Sequence, residues 1–161
     1  MNVYDFDNTI LEGDTEIYFF KYINDKQLMP NFKLKKFNKL LNNRNKNEKI
    51  YRKYTNIMYK LIAKYIENLP NIVEKFWDEH IKYIKPFYNK IRKEDDIISS
   101  ATPSFLLLPV FKRTNIKRYI ATEFNFAKLY FDKSFNYGEE KATKFIEKYG
   151  NVTICAPKNP M

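Results

Sequence analysis

Two carboxylates, Asp5 and Asp7, follow a short apolar run in NVYDFDNTILEGD, residues 2–14. Side chains at i and i+2 of a strand point to the same side. Asp5 and Asp7 therefore share a face or straddle the point where the strand opens into a loop. Carboxylates at the C-terminal end of a parallel strand stand where open α/β sheets bind their ligands. One can attack an electrophile while the other moves protons, provided a cation and hydrogen-bond donors keep the first ionised. The same spacing also suits an Asp-Asn turn that carries incidental charge.

A second stretch with chemical capacity is DDIISSATPSFLL, where an apolar strand runs into small hydroxyl residues and then a helix. Thr102 is placed to cap that helix, with Pro103 as its first residue. Amides at the helix start, together with a serine hydroxyl, can receive a phosphoryl group. An ordinary capped helix has the same appearance. In NYGEEKATKF, Lys141 opens a helix just after Gly138, where a cation could neutralise phosphate charge.

The elements that must position these residues read as an α/β fold. NVYDF is a buried strand left through Gly13, DDIISS leads into a second, IKRYIAT (116–122) is a third, and NVTIC is a last one. AKLYFDKSFNYG suits a hairpin, and EEKATKFIEKY suits a helix closed by Gly150. Strands alternating with helices imply a three-layer, Rossmann-like core with a mainly parallel sheet. Between the first two strands lies a long helical block. Ile50, Tyr54, Ile57, Met58, Leu61, Ile62, Tyr65 and Leu69 recur at helical spacing, with Pro70 expected to end that helix. Val73, Phe76, Trp77, Ile81 and Ile84 follow on a further amphipathic segment up to Pro86. NNRNKNEK, 42–49, is expected to be an exposed polar turn, and His80 a helix-surface or packing residue. The block is too long for one crossover helix. The expected organisation is a core from 1–14 and 92–161, with an inserted all-helical cap over 15–91.

Composition bounds the function classes. Of 161 residues, 44% are apolar and 17% aromatic, which argues for a folded globule. The net charge of +10 suits an anionic partner: nucleic acid, a membrane surface or a phosphorylated substrate. Solvated lysine faces explain it equally, because A/T-rich codons raise Lys, Asn, Ile, Tyr and Phe together. Amphipathic spacing assigns most aromatics to packing rather than to stacked bases. Cys155 is the single cysteine, so an intrachain disulfide and a cysteine-cluster metal site are excluded, as suits a reducing compartment. DFDN interrupts the first apolar run, against a signal peptide. FLLLPVF (105–111) is far short of a membrane span. A cytoplasmic protein is expected, with no specific nucleic acid and no membrane partner.

The order of these motifs, D-x-D-x-T on a first strand, a helical insert, strand–Ser–Ala–Thr–Pro–helix and Gly-Glu-Glu-Lys, resembles the haloacid dehalogenase superfamily of phosphohydrolases. Its phosphoserine-phosphatase-like branch, which carries a helical cap between the first and second motifs, is the nearest in pattern. The resemblance covers roughly 1–20 and 75–150 in motif and the insert in character only. It implies hydrolysis of a small phosphomonoester with Mg²⁺ as cofactor. Asp5 matches the nucleophile that forms an aspartyl-phosphate. Asp7 matches the general acid and base, its backbone carbonyl joining Asp5 on the metal. Thr9 matches the residue that orders the loop. Ser100, with Ala101 beside it, matches the phosphate-binding second motif, with Ser99 one register away as the other candidate. Lys141 matches the lysine that ties nucleophile to phosphate.

One part of the family's pattern is missing. An acidic pair after the last core strand completes the Mg²⁺ site in the family, whereas here NVTICAPKNPM follows, without a carboxylate side chain. Asp95 and Asp96 start the second-motif strand, with the nearer, Asp96, about 13 Å from Ser100 at about 3.3 Å per residue, and cannot substitute. The pattern suits a truncated, frame-shifted or degenerate member with impaired activity. A non-catalytic domain that binds a phosphorylated ligand is the alternative, and a basic nucleic-acid-binding protein a further one.

Overall fold

A computed structural model describes residues 1–131 and 135–150. Strand β1 (Val3–Asp5) leads through a tight turn, Phe6–Ile10, into α1 (Thr15–Asp25). Four more helices follow: α2 (Asn31–Asn43), α3 (Glu48–Tyr65), α4 (Leu69–His80) and α5 (Pro86–Ile91). Then come β2 (Ile97–Pro103), α6 (Ser104–Arg113), β3 (Tyr119–Thr122), the short strands β4 (Phe124–Asn125) and β5 (Tyr130–Phe131), and α7 (Glu139–Tyr149). β1, β2 and β3 form a parallel sheet in that order, and β4 and β5 an antiparallel hairpin.

Alternation along β2 sends its side chains into two separate cores. Ile98 joins Phe6, Trp77, Leu106 and Phe111 in the main core on one face. Ile97 packs with Ile120 and Phe145 of α7 on the other. The result is a helix–sheet–helix sandwich, the α/β Rossmann-like class. The helices of 15–91 share the main core with the sheet: Phe6 meets Trp77 edge-on at 6.2 Å, and Tyr59 of α3 meets Phe131 at 5.1 Å. The Trp77 indole donates to the Leu106 carbonyl at 2.7 Å, so its one polar atom is satisfied inside that core.

Several local expectations are corrected. Pro70 does not end α3. That helix stops at Tyr65, Asn68 turns the chain at φ 49°, and Pro70 sits in the first turn of α4, where its missing N–H is harmless. Thr102 does not cap α6. β2 extends through Pro103, and the Thr102 hydroxyl turns elsewhere. The 42–49 turn is not wholly exposed, because Arg44 is buried. His80 stacks on Phe76 at 4.3 Å and is a packing residue. NVTIC lies outside the described residues.

The exit from β1 is fixed by backbone. The Leu11 amide donates to the Phe6 carbonyl at 3.0 Å, and Lys85 N–H donates to the Ile10 carbonyl at 2.8 Å, tying the turn to the segment before α5. Gly13 holds φ +97°, and a Cβ there would lie 2.2 Å from the Tyr18 hydroxyl. Gly13→Ala is therefore expected to lower stability by about 1–3 kcal/mol, as the midpoint of a urea titration would show. An unchanged midpoint would mean that this turn yields freely.

Candidate functional site

The C-terminal ends of β1 and β2 bring four of the residues singled out in the sequence together. Asp5 ends β1 opposite Ser99 of β2. One Asp5 oxygen accepts from the Phe6 amide at 2.8 Å, and the other from Lys141 Nζ at 2.9 Å. Lys141 stands in the first turn of α7 and also reaches the Ser99 carbonyl at 3.5 Å. Asp5 is about half exposed, so this ion pair opens on solvent. Its anionic carboxylate thus has a cation beside it and an accessible face.

Asp7 lies in the turn, beyond the strand, with a different environment. Its Oδ1 accepts from the Thr15 amide at 2.7 Å and the Thr15 hydroxyl at 2.5 Å. Its Oδ2 accepts from the Thr102 hydroxyl at 2.7 Å, with Ser100 Oγ at 3.5 Å. Burial pushes the Asp7 carboxyl above the usual aspartate range, outweighing the hydrogen bonds from Thr15 and Thr102 that favour the anion. Two carboxylates two residues apart thus differ in kind: one is ion-paired and open, the other desolvated and inclined to hold a proton.

Ser99 and Ser100 are both buried and point to opposite faces of the sheet. Ser100 faces Asp7. Ser99 Oγ accepts from the Asn136 side-chain amide at 3.1 Å. Asn136 is fully buried, and the same amide nitrogen lies 2.8 Å from the Ser100 carbonyl and 3.1 Å from that of Ile120. It cross-links the ends of β2 and β3 just before the segment that delivers Lys141. Ala101 is half-buried beyond the serines, and Thr9 is half-buried inside the turn. Asp95 and Asp96 stand at the far end of the sheet, where Asp96 accepts from Asn2 and Asp95 pairs with the N-terminal amine at 2.9 Å. Glu140, beside Lys141, is engaged by Arg52 of α3 at 3.2 Å.

Three of these contacts lay beyond the sequence reading. Thr102 had a usable signal, since residues 98, 100 and 102 of a strand share one face. Thr15, with Asp14 and Glu16 just past the first motif, stands where the sequence allows a residue to face the cleft or serve only the loop, but nothing in its neighbours marks it as the partner of Asp7. Asn136 carries no signal at all in a chain rich in asparagine.

Below the site lies a buried polar cluster. Glu16 of α1 accepts from the Tyr59 hydroxyl at 2.6 Å and from Tyr51 at 3.3 Å, both on α3. Arg44 lies 3.7 Å away, and its Nε and Nη1 have no hydrogen-bond partner among the described residues. Burial outweighs the attraction of Arg44 and raises the Glu16 carboxyl to about 7. An unfolded glutamate loses its proton near 4.5, whereas the folded one keeps it to about 7. In that window the folded state holds the extra proton, so stability falls as pH rises and levels off above it. The loss is on the order of 3 kcal/mol, and Glu16→Gln should remove most of it. Urea titrations of both proteins across this range check the point. Parallel pH profiles would show that Glu16 is ionised throughout.

The likeness of this chain to known proteins is one of fold. A protein of unknown function from Bordetella pertussis Tohama I superposes with a TM-score of 0.77 at 15% identity, over 96% of this chain and 75% of that one. A phosphoserine phosphohydrolase-like protein from Francisella tularensis subsp. tularensis SCHU S4 superposes with a TM-score of 0.53 at 16% identity, over 93% and 73%. Neither a family model nor a curated protein matches the sequence. Among the described residues, no helix is long and apolar enough to cross a membrane.

Mg²⁺ calls for near-octahedral oxygen ligands. Among the described residues no group of three acidic, histidine or cysteine side chains converges anywhere. Asp5 offers one carboxylate, already shared with Lys141, and both Asp7 carboxylate oxygens are taken by hydroxyl and amide donors. The described donors do not complete a Mg²⁺ site.

Proposed function

We propose that the chain is a phosphomonoester hydrolase of the haloacid dehalogenase type, with Asp5 as nucleophile. The observation that supports this most is the division of labour at the end of β1: an open carboxylate ion-paired to Lys141 at 2.9 Å, beside a desolvated Asp7 facing Ser100 and Thr102. An Asp5 oxygen attacks phosphorus and the phosphorus–ester oxygen bond breaks. The leaving oxygen takes the proton of Asp7, and an aspartyl-phosphate remains. Asp7, now anionic, takes a proton from water as that water attacks phosphorus. Inorganic phosphate leaves and the Asp5 carboxylate is restored. Lys141 offsets negative charge on the phosphoryl oxygens, and the Ser100 hydroxyl donates to one of them. Thr15 and Thr102 hold Asp7 in place.

Mg²⁺ would add charge neutralisation at the phosphoryl oxygens, with the Asp5 carboxylate and the Asp7 backbone carbonyl as its protein donors. The incomplete donor set also favours a second reading, a domain that binds a phosphorylated ligand without turning it over. A panel of phosphomonoesters, assayed across a Mg²⁺ titration, separates the two. We expect slow turnover at millimolar Mg²⁺ that rises as more is added, and a calorimetric Mg²⁺ affinity at least about 10- to 100-fold below that of a complete site. Tight ligand binding with no phosphate release at any metal concentration would favour the second reading.

A further inference from the structure

The charge of this chain is concentrated in one place. Residues 31–65 hold eleven lysines and arginines and a single acid, Glu48, a balance of +10 that equals the net charge of the entire chain. Outside that segment the charges cancel. Codon bias would raise lysine along the whole sequence and does not explain this distribution.

The structure sorts the cations further. Arg44 is buried beside Glu16, and Arg52 bonds Glu48 and Glu140. What remains exposed is all lysine: Lys35, Lys36 and Lys39 on α2, Lys46 in the turn, and Lys49, Lys53, Lys60 and Lys64 on α3. Among the described residues none of these eight forms an ion pair. At 3.6 residues per turn, the four on α3 fall within about 60° of arc, opposite the buried Thr55, Met58, Tyr59 and Ile62. They form a stripe about 22 Å long at 1.5 Å per residue. Lys49–Lys53 and Lys60–Lys64 are like-charge i,i+4 pairs, which weaken a helix by about 0.2–0.5 kcal/mol each. Among the described residues no acidic side chain forms an ion pair with them. Phe32, at 66% the most exposed large apolar side chain among the described residues, lies on the same outer face of α2 as Lys35, Lys36 and Lys39.

We propose that this lysine face of α2 and α3 binds the phosphodiester backbone of nucleic acid without sequence preference. A row of point charges runs along a line, as the phosphates of a strand do at about one per 3.4 Å, so each lysine can meet a different phosphate. The absence of arginine from the face removes the bidentate donors that read base edges. A lipid surface fits less well: the apolar faces of both helices are turned into the core, so a membrane would gain charge contacts and one phenylalanine but no buried apolar stripe. Lys33 Nζ lies over one face of the Phe32 ring at 5.0 Å, and the exposed ring offers its other face to an unpaired base.

The test compares two charge-reversed proteins of equal net charge by fluorescence anisotropy. One carries Lys49→Glu, Lys53→Glu, Lys60→Glu and Lys64→Glu. The other carries Lys75→Glu, Lys82→Glu, Lys90→Glu and Lys117→Glu, all exposed lysines elsewhere. Both, and the unaltered chain, are titrated with labelled single-stranded and duplex oligonucleotides of unrelated sequence, and with vesicles of phosphatidylcholine with phosphatidylserine. A third protein with the α3 lysines changed to glutamine covers the case in which the reversed helix does not fold, and circular dichroism monitors all three. The unaltered chain should bind oligonucleotides without regard to sequence, with log K falling against log salt at a slope of about −3.6 or steeper on duplex and about −2.8 or steeper on single strands if four phosphates are neutralised. The α3 variants should lose at least about 10-fold in affinity while the control set loses far less. Equal losses in both sets, no binding at about 50 mM salt, or binding to vesicles alone would overturn the proposal.

Discussion

Asp5→Asn is expected to abolish turnover, lowering kcat by at least about 1,000-fold, or about 4 kcal/mol of barrier. The amide cannot donate the electron pair that forms the acyl-phosphate bond, and it gives up the ion pair with Lys141 at 2.9 Å. The fold should survive. Asp5 is about half exposed, and an asparagine oxygen can still accept from the Phe6 amide. Comparing turnover of the two proteins at matched thermal midpoints isolates the chemistry from stability. An Asp5→Asn protein that keeps more than about a tenth of the activity acts by direct attack of water, without the covalent step.

Asp7→Asn carries the second large effect, and it should depend on the leaving group. Loss of a general acid costs about 100- to 10,000-fold where the leaving oxygen needs a proton. An alkyl phosphate should therefore suffer the full loss, whereas 4-nitrophenyl phosphate, whose phenolate leaves unaided, should suffer far less in the first step. The pH dependence has a definite sign. Burial raises the Asp7 carboxyl, so its protonated form persists above the usual aspartate range, and activity on alkyl phosphates should fall as pH climbs past that raised value. Thr102→Val removes a donor that favours the anion, so it should move this limb to higher pH. A loss in that first step that is uniform across leaving groups would mean that Asp7 does not protonate the leaving oxygen.

Much of the fold was legible because it rests on periodicity. The apolar run of Ile97 and Ile98 into small hydroxyl residues and the helical spacing of α3 and α4 record burial, and burial sets the element. Proline positions were less informative. Pro70 and Pro86 mark helix boundaries, but a proline that stops one helix and one that starts the next look the same in sequence. The candidate site divides in the same way. Asp5, Asp7 and Lys141 stand at strand and helix ends, where the order of elements brings them together. Thr15, Thr102 and Asn136 act through contacts across 8 to 95 residues of chain, set by the turn at 6–10 and by tertiary packing that no local pattern encodes. Thr102 shows the difficulty: a threonine before a proline and a helix is a favourable cap, and the extension of β2 by one more pair of residues gives its hydroxyl to Asp7 instead.

The covalent step can be observed directly. The chain is mixed with 4-nitrophenyl phosphate and Mg²⁺, quenched in acid within the first turnover, digested, and mapped by mass spectrometry. The Asp7→Asn protein is treated alongside, because it lacks the base that activates water for the second step and should accumulate the intermediate. The account predicts one added phosphoryl group on the peptide holding Asp5, labile to hydroxylamine and absent from Asp5→Asn. Phosphate released at a measurable rate with no phosphoryl group on Asp5 in either protein, or a phosphoryl group on another residue, would contradict it.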